Sequence, residues 1–389
     1  MSSVFGRASE PLMAVSASGC WITDALGSRY LDASGGAVVT AIGHGRQEVI
    51  AALTAQLEQL DYVHASAFTS GVTEEYCRSV AEIVPVANAR VYPVSGGSEA
   101  TETVLKMARA YQAAQGRPER SVVVGLEASY HGNTLGALDL SGRPQLRAPY
   151  ESWLGRFRHV PLDIGRLEEE LERGDVAAFV AEPISGATRA AKVPPADYWP
   201  AVAELCRRHE VLLVVDEVMT GFGRTGHWFG IEHWNVEPDL LICGKGASSG
   251  YWPLGLAIAS GRVYEAIGES FVHGFTYSHH PAGAAVGKAV LEIIEKESLV
   301  EAAARQGTLL RSRLEEALGG RVIDIRGKGL LVGIELDADP KAVVSAARAQ
   351  GLLVYPAAIG AILLGPPLII TEPEIDQLVD RLTAALDET

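Results

Sequence analysis

Apolar residues along this chain follow two spacings, and the two spacings alternate from one segment to the next. In residues 46–60, five apolar residues (Val49, Ile50, Leu53, Leu57 and Leu60) recur at helical spacing, which predicts an amphipathic helix. In residues 211–215 every residue is apolar, which predicts a buried strand. The same alternation predicts strands at 90–94, 121–124 and 177–181, and helices at 98–114 and 198–210. Strands that alternate with helices favour an α/β fold whose mostly parallel sheet is covered by helices on both faces.

The pattern changes after about residue 281. Helical spacing covers 282–297 and 299–318, and two strand-like runs follow at 322–326 and 330–336. A helix at 340–350, short strands and a last helix at 372–386 complete a compact α+β unit. Residues 19–32 have the features of a hairpin with its turn at 25–28, and we expect this hairpin to join that unit. We therefore predict a large domain at 46–284 and a smaller α+β domain built from 1–45 and 285–389.

The composition of the 389-residue chain excludes several classes of function. A net charge of −15 argues against binding to nucleic acid or to anionic membranes, which require a cationic surface. The four cysteines are far apart and form no CxxC pair, so we expect reduced thiols rather than a zinc site or disulfides. The N-terminus lacks the pattern of a signal peptide, and no apolar run reaches the ~18 residues that span a bilayer. We expect a cytoplasmic protein.

Lys245 and Asp216 are the most informative residues. Lys245 is one of seven lysines and follows the apolar run 240–243 among glycines, and Asp216 ends the apolar run 211–215. An amine that can form a Schiff base, with a carboxylate that can hold a protonated ring nitrogen, is the minimum set for pyridoxal phosphate (PLP) chemistry. A lone aspartate would more often be an ion-pair partner or a helix cap, but beside Lys245 the cofactor interpretation is favoured.

Three further strand ends carry polar or aromatic groups. Ser98 and the glycines before it open a helix, where free amides can bind a phosphate, although taken alone a plain capped helix is the more frequent explanation. Tyr130 could stack on a flat ring or pack at a domain edge. Glu182 ends the run 177–181, and a buried carboxylate requires a partner. Because ligands bind at the carboxyl ends of parallel strands, these groups are expected to converge.

Two other sets of residues carry less weight. Arg224 could bind a phosphate or carboxylate, but we favour a structural role for it. The histidines at 131, 273, 279 and 280 lack helical i, i+4 spacing and supporting cysteines, so we predict no metal site.

Together these residues resemble the class III PLP-dependent aminotransferases of fold type I. The resemblance runs from residues 30–32 to 366–371, and its most specific pieces are DEVMTGFGRTG at 216–226, GKG at 244–246 and HGFTYS at 273–278. It implies a large domain with a seven-stranded, mostly parallel sheet, together with a smaller α+β domain.

The resemblance also implies roles for individual residues. Lys245 would bind PLP as a Schiff base and carry the proton between the substrate and the cofactor, and Asp216 would hold the ring nitrogen. The remaining cofactor-binding residues would be Gly97 and Ser98 at the phosphate, Tyr130 and Val218 on opposite faces of the ring, His131, Glu182 near the ring hydroxyl, and Thr276. Thr276 would reach the phosphate of the neighbouring subunit, which makes the active unit a homodimer.

Two departures from the family pattern bear on the substrate. Members that act on ornithine, acetylornithine or 4-aminobutyrate carry an arginine and a glutamate at positions that fall here at Leu363 and Ala187. This chain is more similar to the ω-amino-acid and amine:pyruvate branch. The arginine that binds the keto-acid carboxylate must then come from elsewhere, and Arg189, Arg143 and Arg147 are the candidates. His279 stands where the family usually has a small residue, and it either lines the pocket or faces solvent.

The sequence therefore predicts an aminotransferase that moves an amino group from an amine or ω-amino acid to a keto acid such as pyruvate or 2-oxoglutarate by a ping-pong mechanism. A PLP-dependent decarboxylase or aminomutase of the same fold is the first alternative. A non-catalytic cofactor-binding protein is the alternative from a different class, and the intact Lys245 and Asp216 argue against it.

Overall fold

The computed structural model describes residues 3, 5, 11–268, 271–358 and 360–389. The strands are β1 Ala14–Ser18, β2 Trp21–Asp24, β3 Arg29–Asp32, β4 Arg90–Val94, β5 Val122–Leu126, β6 Arg158–Val160, β7 Val176–Ala181, β8 Leu212–Asp216, β9 Leu240–Cys243, β10 Gly255–Ala259, β11 Asp324–Lys328, β12 Leu331–Glu335, β13 Leu352–Leu353, β14 Tyr355–Ala357 and β15 Ala361–Leu364.

The helices alternate with these strands through the middle of the chain. They are α1 Gly35–Val38, α2 Gln47–Gln59, α3 Gly71–Ile83, α4 Gly97–Ala114, α5 Leu135–Leu140, α6 Pro144–Arg147, α7 Ile164–Leu171, α8 Tyr198–Arg208, α9 Gly261–Ile267, α10 Pro281–Lys296, α11 Leu299–Leu318, α12 Pro340–Ala349 and α13 Glu372–Asp387. Across the described residues, no helix is long and apolar enough to cross a membrane.

Seven strands form the central sheet, in the order β4-β10-β9-β8-β7-β5-β6. β10 runs antiparallel to both of its neighbours, and the other pairings are parallel. The carboxyl ends of β4, β5, β7, β8 and β9 therefore lie at one edge of the sheet. The predicted α/β fold with a mostly parallel seven-stranded sheet is confirmed.

The central strands are apolar throughout because both of their faces are covered. Successive residues of a strand point to opposite faces. In β7, Phe179 and Ala181 belong to one hydrophobic core, whereas Ala178 and Val180 belong to a second core on the other face. β8 and β9 divide in the same way. Helix α4 covers one face, and α8 and α10 contribute to the core on the other.

Two smaller sheets flank the central one. The N-terminal strands and a late strand form the order β1-β2-β3-β13, with β3 parallel to β13, and the C-terminal strands form β11-β12-β15-β14. The hairpin expected at 19–32 is the pair β2–β3, which turns at residues 25–28. The division of the chain into domains at residues 45 and 284 stays a prediction.

Most of the predicted elements occur within two or three residues of their expected bounds. The strands expected at 90–94, 211–215 and 330–336 are β4, β8 and β12, and the helices expected at 98–114 and 299–318 are α4 and α11. The sequence pattern did not predict helix α3, the short β6 or the antiparallel strand β10. β6 has only three residues, too few to show a periodic spacing of apolar positions. β10 has the sequence GLAIA, which is compatible with a helix as well as with a strand.

The buried side chain of Arg224 connects three distant parts of the chain. Its guanidinium donates hydrogen bonds to the backbone carbonyls of Leu330 at 3.1 Å, Pro366 at 2.5 Å and Thr40 at 3.5 Å. Burial lowers the pKa of Arg224 to about 10, although the charge of Asp32 opposes this effect. These contacts agree with the structural role that we favoured for Arg224, because its guanidinium binds backbone carbonyls.

Replacing Arg224 with Ala should destabilise the fold, because three buried carbonyls would lose their donor. We expect the free energy of unfolding in urea to fall by about 3 kcal/mol. Arg207→Ala is the matched control, since Arg207 is 74 % exposed and, among the residues that the structure describes, its side chain bonds only to the exposed Glu204. The control should change the free energy of unfolding by less than about 0.5 kcal/mol. Equal effects of the two substitutions would contradict this account of Arg224.

Candidate active site

The pairing of β8 with β9 brings Asp216 and Lys245 to the same place. Asp216 is the last residue of β8 and lies opposite Ile242 of the parallel strand β9. The backbone then enters a 3-10 turn at residues 245–247, in which Lys245 adopts a left-handed conformation (φ 43°). Both side chains line a cavity of about 190 Å³, whose other lining residues are Gly97, Ser98, Tyr130, His131, Gly132, Glu182, Val218 and Met219.

Asp216 is held in position by two neighbours. Its Oδ2 accepts a hydrogen bond from Nδ1 of His131 at 2.7 Å, and its Oδ1 accepts one from the backbone N–H of Val218 at 3.0 Å. Burial lowers the pKa of His131, but the hydrogen bond to Asp216 and the charges of Asp216 and Glu182 outweigh this effect, so the pKa is raised overall. The two hydrogen bonds therefore fix the orientation of the Asp216 carboxylate in the cavity.

Lys245 and Glu182 are both shifted toward their neutral forms by burial. Burial lowers the pKa of Lys245 to about 8, against the opposing charges of Asp216 and Glu182. Burial also raises the pKa of Glu182 to about 7, and the hydrogen bond that the Gly186 N–H donates to Oε1 at 2.9 Å opposes this rise. A lysine with a pKa near 8 is a neutral nucleophile in a substantial fraction of molecules near neutral pH.

The start of helix α4 forms a narrow cradle for an anion. Ser98 lies in the first helical turn, where the backbone amides have no partners within the helix. The Ser98 hydroxyl accepts a hydrogen bond from the N–H of Asn133 at 3.2 Å. Gly132 fits against it only because it has no side chain: a Cβ at this position (φ 134°) would stand 2.5 Å from Ser98 Oγ. The cradle suits a phosphate.

The two remaining walls of the cavity are apolar. Val218 packs against Gly97, where an added Cβ would lie 3.2 Å from the valine side chain. Tyr130 lines the same cavity and is 37 % exposed. A valine and an aromatic ring can enclose a flat heterocycle between them. The residues that line the cavity therefore fit PLP: an anion cradle, a carboxylate for the ring nitrogen, an amine, and apolar walls.

The structure adds residues that the sequence did not single out. Met219 lies beside Glu182 in the cavity wall, and a Cβ at Gly186 would be 2.6 Å from Met219 Sδ. Glu217 is fully buried and accepts hydrogen bonds from Thr220 Oγ1 and from the backbone of Gly230 and Ile231. Glu217 therefore fixes the loop that follows Asp216. Both residues belong to the motif 216–226 but follow the end of β8. The apolar pattern that indicates a strand therefore does not mark them.

Other expected residues lie outside the cavity. Thr276 lies in the segment 271–280, where its side chain is exposed, and it does not line this cavity. His279 does not line it either: its ring packs edge-on against Tyr92 at 4.5 Å. Leu363 is fully buried within β15, paired with Gly333, so no charged group occupies its place.

Comparison with known proteins identifies the family. Residues 4–386 match the family described as "Aminotransferase class-III". This chain belongs to the class III aminotransferases. The resemblance predicted from the sequence is confirmed, and so are the enzyme class and the dependence on PLP.

Characterised relatives of this class III aminotransferase cover nearly its whole length. A putrescine–pyruvate aminotransferase from Pseudomonas aeruginosa is 34 % identical over 96 % of this chain and 90 % of that protein. An acetylornithine aminotransferase from Mycolicibacterium smegmatis is 38 % identical over 97 % and 94 %. A solved amine transaminase from an uncultivated Pseudomonas species, in its PLP-bound form, superposes with a TM-score of 0.93 at 35 % identity, covering 100 % of this chain and 97 % of that one.

Adding one methyl group at Gly132 should weaken cofactor binding by this aminotransferase. The Cβ would displace Ser98 Oγ, 2.5 Å away, and distort the anion cradle. We expect Gly132→Ala to raise the Kd for PLP about tenfold or more, measured by titrating the apoprotein and following its visible absorbance. Gly71→Ala is the control, because an added Cβ there meets nothing within 4 Å. An unchanged Kd in Gly132→Ala would contradict the assignment of the cradle.

The lowered pKa of Lys245 should control how fast the apoprotein takes up PLP. The neutral amine is the reactive form, so the rate of uptake should rise with pH and level off above about 8, rather than continue to rise toward 10.5. Stopped-flow absorbance measures this rate. 4′-Deoxypyridoxine 5′-phosphate, which lacks the aldehyde, controls for the titration of the ring and the phosphate. A rate still rising steeply at pH 9.5 would contradict the shift.

Proposed function

We propose that this enzyme transfers the amino group of an amine or an ω-amino acid to a keto acid such as pyruvate or 2-oxoglutarate, in two half-reactions that share one site. The observation that carries this proposal is that neutral residues, Leu363 and Ala187, stand at the two positions where the resemblance expects an arginine and a glutamate, in a chain whose cavity contains Lys245 and Asp216. A chain without a charge at either position lacks the arginine and glutamate that handle a substrate α-carboxylate, which favours a donor that has no carboxylate next to its amine. The putrescine–pyruvate relative supports this choice.

Three residues of the cavity then have a chemical task. PLP, when bound, supplies a ring that delocalises the electron pair released at the substrate carbon. Asp216, held in place by the hydrogen bond from His131, would hold the proton on the ring nitrogen, which this delocalisation requires. Lys245 binds the cofactor and afterwards carries a proton on Nζ, and its pKa near 8 suits both acceptance and release at neutral pH. Glu182 would lie near the ring hydroxyl.

We also propose that the active unit is a homodimer in which Thr276 of one subunit reaches the phosphate site of the other. Thr276 is exposed, and its carbonyl accepts a hydrogen bond from the Tyr62 hydroxyl at 2.8 Å, which holds the backbone of this segment against Tyr62. Beside it lies an apolar cavity of about 440 Å³ that extends to Ser95, next to the anion cradle. A second copy of the chain would fill this cavity.

A panel of donors added one at a time to the PLP-loaded protein should identify the donor class. We expect an amine, a diamine or an ω-amino acid to bleach the visible band and a keto acid to restore it, with ornithine and acetylornithine much weaker. Lys245→Ala should abolish turnover, because no other residue of the described cavity has an amine side chain. Strong preference for ornithine would contradict the proposed donor. Carbon dioxide release, or amine transfer without a keto acid, would indicate the decarboxylase or the aminomutase.

The proposed dimer predicts a solution mass of twice 41.3 kDa, measured by light scattering during size-exclusion chromatography. Thr276→Val should weaken PLP binding by several-fold, because one hydroxyl donor to the phosphate is lost. The exposed Thr308→Val, on the far helix α11, is the control. A monomer that binds PLP with undiminished affinity would contradict the proposed contribution across the interface.

A further inference from the structure

The keto acid in the second half-reaction brings a carboxylate into a site that holds no obvious partner for it. Among the lining residues, Lys245 is required for the cofactor, and no arginine lines the described cavity. A planar guanidinium is the usual partner of a carboxylate because it forms two parallel hydrogen bonds. An arginine near the rim that can reach in would supply this contact, provided that it leaves room when a donor without a carboxylate occupies the pocket.

Several arginines near this edge of the sheet are committed elsewhere. Arg147 donates to the carbonyl and the carboxylate of Asp139, at 2.5 and 3.3 Å. Asp139 also accepts hydrogen bonds from the backbone N–H groups of residues 155, 156 and 157, so this contact holds the loop together. Arg189 donates to the carbonyl of Glu127 at 2.7 Å.

Two further arginines are occupied as well. Arg326 donates to the carbonyls of Ala190 and Arg189 and forms ion pairs with Asp324 and Glu335. Arg224 is buried against three carbonyls. Using either one for a substrate would break contacts between separate parts of the chain.

Arg143 differs from all of these. In the part of the chain that the structure describes, its guanidinium has no hydrogen-bond or ion-pair partner. The side chain is half-buried rather than fully solvated. A half-buried cation without an anion is an unfavourable arrangement unless an anion arrives during function.

The backbone of Arg143 is fixed next to the site. The N–H of the preceding Gly142 donates to the Ser129 hydroxyl at 3.1 Å, and its carbonyl accepts from the N–H of Ala128 at 2.8 Å. The hydroxyl of Ser141 accepts from the N–H of His131 at 2.9 Å. Arg143 thus starts beside the strand end that delivers Tyr130 and His131 to the cavity, and Pro144 after it restricts the backbone to an extended conformation.

We propose that Arg143 is the arm that binds the carboxylate of the keto-acid acceptor. With an amine donor in the pocket the side chain lies along the rim, and with a keto acid it swings over Tyr130 and forms a two-pronged contact with the carboxylate. This assignment rests on the proposed transaminase function and specifies how one site accepts two substrates of different charge.

The test separates the two half-reactions in the PLP-loaded enzyme. An amine first converts the wild type, Arg143→Gln, Arg143→Lys and the control Arg156→Gln to the pyridoxamine form, and the rate of this conversion is recorded. Excess amine is removed, and stopped-flow absorbance follows the return of the visible band at increasing concentrations of pyruvate, or of propanal, which lacks the carboxylate. Arg156 is exposed, lies beyond α6 in the same connection between α5 and β6, and is held there through its backbone N–H, which donates to Asp139.

We expect Arg143→Gln to raise the pyruvate concentration for half-maximal rate about ten- to a hundredfold. The amine half-reaction and the reaction with propanal should stay unchanged. Arg143→Lys should recover part of the loss, and Arg156→Gln should behave as the wild type. Unchanged use of pyruvate by Arg143→Gln, or an equal loss toward pyruvate and propanal, would overturn the assignment. A wild type that no amine bleaches would instead overturn the proposed function itself.

Discussion

The register between two neighbouring strands is the constraint on which this active site depends. Because Asp216 lies opposite Ile242 in the parallel pair β8–β9, the turn that follows β9 places Lys245 at the same edge, over the end of β8. Both strands are fully buried on both faces, so a shift of one residue would turn apolar side chains away from their cores. The packing of the sheet therefore fixes the distance between the amine and the carboxylate.

Several energetically unfavourable arrangements occur among the active-site residues that this register brings together. Burial lowers the pKa of Lys245 and raises the pKa of Glu182, so both side chains are disfavoured in their charged forms. In the same buried site His131 donates a hydrogen bond to Asp216. The backbone of Lys245 is left-handed, which is unfavourable for a residue with a side chain. The surrounding sheet and its two hydrophobic cores are extensive enough to hold these unfavourable arrangements in place. The lowered pKa of Lys245 makes part of its amine neutral, and therefore reactive, near neutral pH.

Much of the fold and part of the site could be predicted from the sequence, because both depend on local patterns. Apolar runs indicated β7, β8 and β9, and the residues just after each run indicated Glu182, Asp216 and Lys245. Contacts between distant segments carry no such pattern. Arg224 binds carbonyls of distant segments, and His131 bonds to Asp216, which is 85 residues further along the chain. Such contacts can be identified only in the folded structure. The antiparallel strand β10 and the free side chain of Arg143 also required the structure.

The central claim is that Lys245, among seven lysines, is the residue that binds the cofactor. Borohydride reduction of the PLP-loaded protein, followed by proteolysis and mass spectrometry, fixes the cofactor on the amine that holds it. We expect a single pyridoxyl group on the peptide that contains Lys245 and no label in Lys245→Ala. A label on another lysine in the native protein would contradict the account.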